Sequence, residues 1–134
     1  MLSNKARYAL RAAAYLADRY NGVPVQIAEI AVARSIPLKF LEAILLELRK
    51  AGILASKKGK GGGYCLAADP STVSLAKVIR TIDGPISMLP CASLNFYQEC
   101  PDCDKSTCGL NKAIAEARDA ILSVLEHRFL SDIV

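Results

Sequence analysis

Four cysteines fall within one eighteen-residue run, CASLNFYQECPDCDKSTC: Cys91, Cys100, Cys103 and Cys108. The run has neither helical nor strand periodicity, so these side chains are not core filler at regular spacing. A deprotonated thiol is a soft metal ligand and a redox centre. Three chemistries fit. An all-cysteine iron–sulfur site needs four thiolates, and four are present. A zinc site needs the same number, and Cys100 and Cys103 have the common Cys-x2-Cys spacing. A metal-free thiol switch needs two exposed thiols of lowered pKa, and Cys108 stands just ahead of a predicted helix whose N-terminal field favours a thiolate. The expectation is an iron–sulfur site on all four, with zinc or no metal as alternatives. The acidic neighbours Glu99, Asp102 and Asp104 read as solvated loop residues. The fifth cysteine, Cys65, lies on a predicted strand and reads as a small buried side chain. His127, the single histidine, falls near the end of the last predicted helix, where a cation is favourable, and reads as a capping or surface residue. No Ser/His/Asp set or carboxylate pair stands out, so no enzyme is expected.

The elements around this run must place it. A chain of 134 residues, 52% hydrophobic, is one domain's worth and can bury a core without staples. Its apolar runs are too short for a membrane span, and MLSNKARYAL lacks the features of a secretory signal. A cytoplasmic protein is expected, in which cysteines serve metals or redox more than structural disulfides. The net charge of +4 is unevenly spread: residues 1–60 carry 11 Lys/Arg against 4 Asp/Glu, and residues 61–134 carry 6 against 9. A basic first half points to a polyanionic partner.

Residues 3–20 predict a helix capped by Ser3 or Asn4, with Leu10, Ala13, Ala14 and Ala17 on one face and Asn21-Gly22 as its stop. The stretch QIAEIAVARSIPLKFLEAILLELRKAG predicts two helices and a tight turn. The first spans Ile27–Arg34, with Ile27, Ala28, Ile30 and Ala31 inward. The second spans Leu38–Lys50, with Pro37 at its first position and Leu41, Ile44, Leu45 and Leu48 at core spacing. In a helix-turn-helix the start of the second helix meets base edges in the major groove. Residues 53–56 and 64–67 predict a hairpin around the turn KKGKGGG. Its glycines permit positive φ and close approach to a phosphate, and its lysines neutralise one. A nucleotide-binding loop is disfavoured, because no Gly-Lys-Ser/Thr opens a helix here. From Glu47 to Asp69 no acid intervenes, while Arg49, Lys50, Lys57, Lys58 and Lys60 are basic. This is the strongest residue-level sign of nucleic acid.

Residues 74–82 predict a short helix with Leu75, Val78, Ile79 and Ile82 inward, ended by Asp83-Gly84-Pro85. After Cys108, GLNKAIAEARDAILSVLEHRFL predicts a helix of about five to six turns. Leu110, Ile114, Ala117, Ile121 and Leu125 recur at spacings of three or four, a seam suited to pairing two helices. The closing SDIV carries no signal. The fold expected is mostly α with a small β-hairpin wing: a winged helix-turn-helix over residues 1–84, a cysteine-rich sensor loop over 85–108, and a dimerisation helix with tail over 109–134.

The combination IPLKFLEAILLELRKAGIL followed by KGKGGGY resembles the IscR-type winged-helix transcription regulators of bacteria, the Rrf-two superfamily. The likeness extends to YALRAAAYLA, PVQIAEIA, IRTIDG and the cysteines before the last helix. It implies a homodimer that binds a pseudo-palindromic double-stranded operator; the leading expectation is a repressor, with no membrane partner. Lys39, Phe40 and Glu42 match the recognition helix, and Lys57, Lys58 and Lys60 the wing. Lys39 would meet guanine or phosphate, Glu42 cytosine N4, and the wing lysines the minor-groove backbone, while Phe40 is divided between reading and packing. Many relatives hold an iron–sulfur cluster, 2Fe–2S being the form expected here, through three cysteines and a variable fourth ligand. Cys91 matches the first cysteine and Cys108 the third. The fourth-ligand positions are Asn111 and Arg7 in this chain, so the extra loop cysteine is the expected replacement. The resemblance also allows a metal-free or partner-protein-sensing regulator of sulfur metabolism. The competing class is a redox or metal carrier with no DNA function.

Overall fold

Ser3 begins the first helix. Its side chain accepts from the Ala6 N–H at 2.9 Å, meeting one of the donors a helix start leaves over. A computed structural model describes residues 2–94, 96–99 and 108–134. In it α1 spans Asn4–Asp18. Ala13, Ala14 and Ala17 are buried as expected and Leu10 is half-buried, but Ala6, Ala9, Ala12, Tyr15 and Leu16 are buried too. The helix is covered on more than one face because later elements surround it.

The next two helices keep their expected bounds: α2 is Ile27–Arg34 and α3 is Leu38–Lys50. In α3, Leu41, Ile44, Leu45 and Leu48 have no exposed surface. In α2 only Ile30 is buried, and Ala28, expected inward, is exposed. Eight residues on the surface of α3 bury one narrow edge and no more. Ser35 joins them in the left-handed region at φ 53°, which lets the Ile36 N–H return to the Ala31 carbonyl at 3.0 Å. Pro37 precedes the first helical residue rather than occupying it, a shift of one position.

The hairpin pairs β1 (Leu54–Lys57) with β2 (Gly63–Leu66), Leu54 opposite Leu66 and Lys57 opposite Gly63. Val25 adds a further rung: its N–H and carbonyl exchange bonds of 2.8 Å with Tyr64. This rung explains part of the glycine run. Gly63 stands at φ 151°, and a Cβ there would lie 2.3 Å from the Val25 carbonyl oxygen; at Gly62 it would lie 2.2 Å from that of Lys57. These two glycines serve the protein's own backbone. Gly59 and Gly61, also at positive φ, face open space. Cys65, expected buried, is half-buried, because it sits opposite exposed Ala55.

Helix α4 is Leu75–Asp83, capped by Ser74, which accepts from Lys77 N–H at 3.1 Å. Val78, Ile79 and Ala76 are buried; Leu75 and Ile82 are partly so. Helix α5 is Gly109–Leu125, shorter than expected. Past it the chain turns back through a 3-10 turn at Leu130–Asp132. The tail, read as silent, closes the core: Leu130 has no exposed surface, its N–H donates to the Val73 carbonyl at 3.0 Å, and the Arg128 carbonyl accepts from Leu75 at 2.9 Å. Among the described residues, no helix is long and apolar enough to cross a membrane.

Gly63→Ala is expected to lower unfolding stability by about 1–3 kcal/mol through overpacking against Val25. Gly59→Ala, with open space around it, is expected to cost less. Urea unfolding of both variants checks the order.

Candidate nucleic-acid face and cysteine site

The candidate reading face comprises α2, α3 and the hairpin. Lys39 and Glu42 are exposed on the first turns of α3. Phe40 is 38% exposed and meets Tyr8 of α1 edge to face, with ring centroids 5.6 Å apart. Its ring is therefore braced by α1. Lys57, Lys58 and Lys60 are all exposed on the hairpin, and Arg49 ties α3 to it by donating to Ser56 Oγ at 3.3 Å.

Two of the four acids in the first sixty residues hold helices together. Lys5 of α1 pairs with Glu47 of α3 at 2.5 Å. The Tyr15 hydroxyl donates to Glu29 of α2 at 2.6 Å; that bond, helped by burial, holds the phenol above its usual pKa. The Arg19 guanidinium lies 3.7 Å from the Tyr15 ring centre and 3.6 Å from Glu29. Arg11 donates to the Arg34 carbonyl at 2.8 Å, a cation at the C-terminal end of α2. The lysines of α3 and the hairpin therefore face outward with few acids beside them.

The second site lies at the head of α5. Cys108 is its N-cap, with its sulfur in the place of the usual cap oxygen, accepting from the Asn111 N–H at 3.4 Å. Cys91 lies in a 3-10 turn, Pro90–Ala92. The Asn111 amide donates to Cys91 Sγ at 3.3 Å and to the Cys91 carbonyl at 3.2 Å. Seven residues later Arg118 donates to the Ala92 carbonyl at 2.5 Å. The two outer cysteines of the run are thus brought against one residue, and both are free thiols. Cys100 and Cys103, with Asp102 and Asp104, lie outside the described residues. No group of three or more metal-ligating side chains is assembled among the described residues. What is described fits a thiolate centre in donor type and convergence. Arg7 is exposed on α1. His127 stands beyond α5 with Nδ1 3.0 Å from the Ser123 carbonyl, in a capping position, and Glu99 is exposed.

Asn111 is visible in the sequence only as a missing ligand. Its contact to a cysteine twenty residues back has no local pattern to betray it.

A family model described as an iron-dependent transcriptional regulator, Rrf2, matches residues 2–134. The chain belongs to the Rrf2 family. An rrf2-like HTH-type transcriptional regulator of Rhodobacter capsulatus is 43% identical over 138 residues, covering 100% of this chain and 92% of that protein. IscR of Vibrio vulnificus is 40% identical over 90 residues, 67% of this chain and 54% of that protein, so this alignment spans about half of the relative. Among solved structures, CymR, the global cysteine regulator of B. subtilis, superimposes with TM-score 0.80 at 28% identity, covering 99% of this chain and 95% of that one. T. potens IscR gives 0.76 at 26% identity, covering 99% and 85%. The winged helix-turn-helix fold and the long C-terminal helix are those of this family, whose members are transcription regulators that bind DNA.

Replacing Lys57, Lys58 and Lys60 together by Ala is expected to weaken duplex binding and flatten its salt dependence. The slope of log K against log salt should fall by about 0.9 for each phosphate no longer neutralised, so by up to roughly 2.7. Fluorescence anisotropy across a salt series reads this directly; an unchanged slope would remove the hairpin from the interface.

Proposed function

We propose that this Rrf2 protein is a homodimeric repressor whose operator affinity is set by the state of the cysteine run. The observation that carries the reading is the meeting of Cys91 and Cys108 on Asn111 at the head of α5. The division of labour is a reader over residues 1–84, a sensor loop over 85–108 and a pairing helix with tail over 109–134. Cys91, Cys100, Cys103 and Cys108 are the metal ligands. An iron–sulfur cluster held by them, of 2Fe–2S type, would supply an oxidation-state change or outright loss as the signal.

The dimer reading is supported by α5 itself. Leu110, Ile121 and Val124 are 62%, 45% and 49% exposed. Ile114, Ala117, Ile121 and Leu125 line one wall of a groove of about 440 Å³ closed by Leu2, Ile79 and Ile86. A second copy's helix covers such a stripe. Each reader then offers Lys39 and Glu42 to a half-site, with Phe40 supporting the turn beside them. Half-sites lie about one helical turn apart, so a small change in the spacing of two readers changes affinity. A second reading is favoured by the likeness to CymR: the signal is cysteine supply, delivered through the bare thiols or a regulatory protein, with no metal.

The test is a gel shift with operator DNA, using anaerobic and air-exposed protein, alongside iron, sulfide and zinc analysis. Affinity is expected to differ between the two states and to follow iron content. Equal binding in every redox and metal state removes the sensor role. Iron is expected to fall on replacing any one of the four cysteines by Ala; full iron in both the Cys100 and the Cys103 variants excludes the four-thiol site.

A further inference from the structure

We infer that Asn111 is a positioning residue for the metal-binding thiols, fixing Cys91 against Cys108 and donating a hydrogen bond to each sulfur. This rests on the metal-sensing reading above. Asn111 is 6% exposed, one of two polar residues among the buried ones described. A buried amide is costly unless its hydrogens find acceptors, and here they are directed to Cys91: 3.3 Å to the sulfur and 3.2 Å to the carbonyl. Its backbone N–H goes to Cys108 Sγ at 3.4 Å. One residue therefore spans the first and last thiols of a run whose sequence has no periodicity of its own to hold them together.

Arg118 works beside it. Two helical turns further along α5, it donates to the Ala92 carbonyl. The turn holding Cys91 is thus fastened to α5 at two points, and of the two only Asn111 reaches a sulfur among the described residues. The consequence is twofold. Part of the ordering that metal capture demands is already complete before metal arrives, which strengthens binding. An N–H directed at a metal-bound thiolate also draws off electron density and favours the more reduced state of the centre. The amide does both without adding charge and without displacing a thiolate.

The experiment uses the full chain with Asn111→Leu, which keeps similar bulk and the backbone N–H but has no side-chain donor for Cys91, and Asn111→Ala, which leaves space for water. Anaerobic apo-protein is titrated with Co(II), read by thiolate-to-metal absorption. Protein assembled with ferrous iron and sulfide is then poised electrochemically for its midpoint potential. N111L is expected to weaken Co(II) binding about 10- to 100-fold and to move the potential to more negative values. N111A is expected to shift the potential less, because water can donate in the amide's place. Should N111L lose its helical circular dichroism, N111A carries both measurements. Equal affinity and equal potential in wild type and variants overturn the role of Asn111 and leave the metal reading standing. Weaker binding with an unmoved potential overturns the hydrogen bond to sulfur and makes the residue merely structural. A wild-type protein that binds Co(II) but assembles no cluster removes the iron–sulfur reading, and the Co(II) affinities alone then decide Asn111. A wild-type protein that takes up neither removes the metal reading and this inference with it.

Discussion

Four alanines without exposed surface, Ala6, Ala9, Ala12 and Ala13, set the distance at which the rest of the molecule meets α1. A methyl side chain lets a neighbouring backbone approach closely, and close packing leaves no slack for a larger group. Helix α3, helix α4, the hairpin and the returning tail all gather on α1. The larger apolar side chains come from them: Leu41, Ile44, Leu45 and Leu48 from α3, Val78 from α4, Leu66 from β2, Leu130 from the tail. The core is therefore small side chains at the centre and branched ones around it. Enlarging any of the four alanines would push the surrounding elements outward together.

Charge follows from the same arrangement. The first sixty residues are strongly basic, and two of their four carboxylates are consumed by ties between helices: Glu47 by Lys5, Glu29 by Tyr15 and Arg19. Each tie is partly solvated and worth little in stability. Their greater effect is on the field, since they remove negative charge from the surface that α3 and the hairpin present. Glu42 is the carboxylate of α3 left exposed. Asp83, at the end of α4, is likewise engaged: it accepts from the backbone N–H of Ser3 at 3.1 Å and from its hydroxyl.

Helices α2 and α3 can be placed from sequence because proline, serine and a strict apolar spacing mark their ends and faces. The hairpin is legible from its glycines and lysines, though half of that glycine signal has a different cause: Gly62 and Gly63 are small to let the chain's own carbonyls pass. Ala28 escapes the expected inward face because a short surface helix buries too little for periodicity to orient it. Cys91 and Cys108 stand out by their chemistry, and the structure brings them to one residue. The part that Asn111 plays, and the part that Leu130 plays, depend on contacts between distant segments. A four-residue tail has no period to read, and a buried asparagine looks like a surface one until its partner is known.

Helix α5 is fixed at both ends by unlike means. At its start Cys108 and Cys91 are bonded to Asn111; beyond its end Leu130 is sunk in the core beside α1. Its seventeen residues make a rod of about 26 Å, and each residue turns the helix by about 100°. Rotational phase and length are thus locked together. Inserting a single residue would swing the cysteine end to a different side of the rod relative to Leu130, whereas a change near a whole number of turns would keep both anchorages aligned.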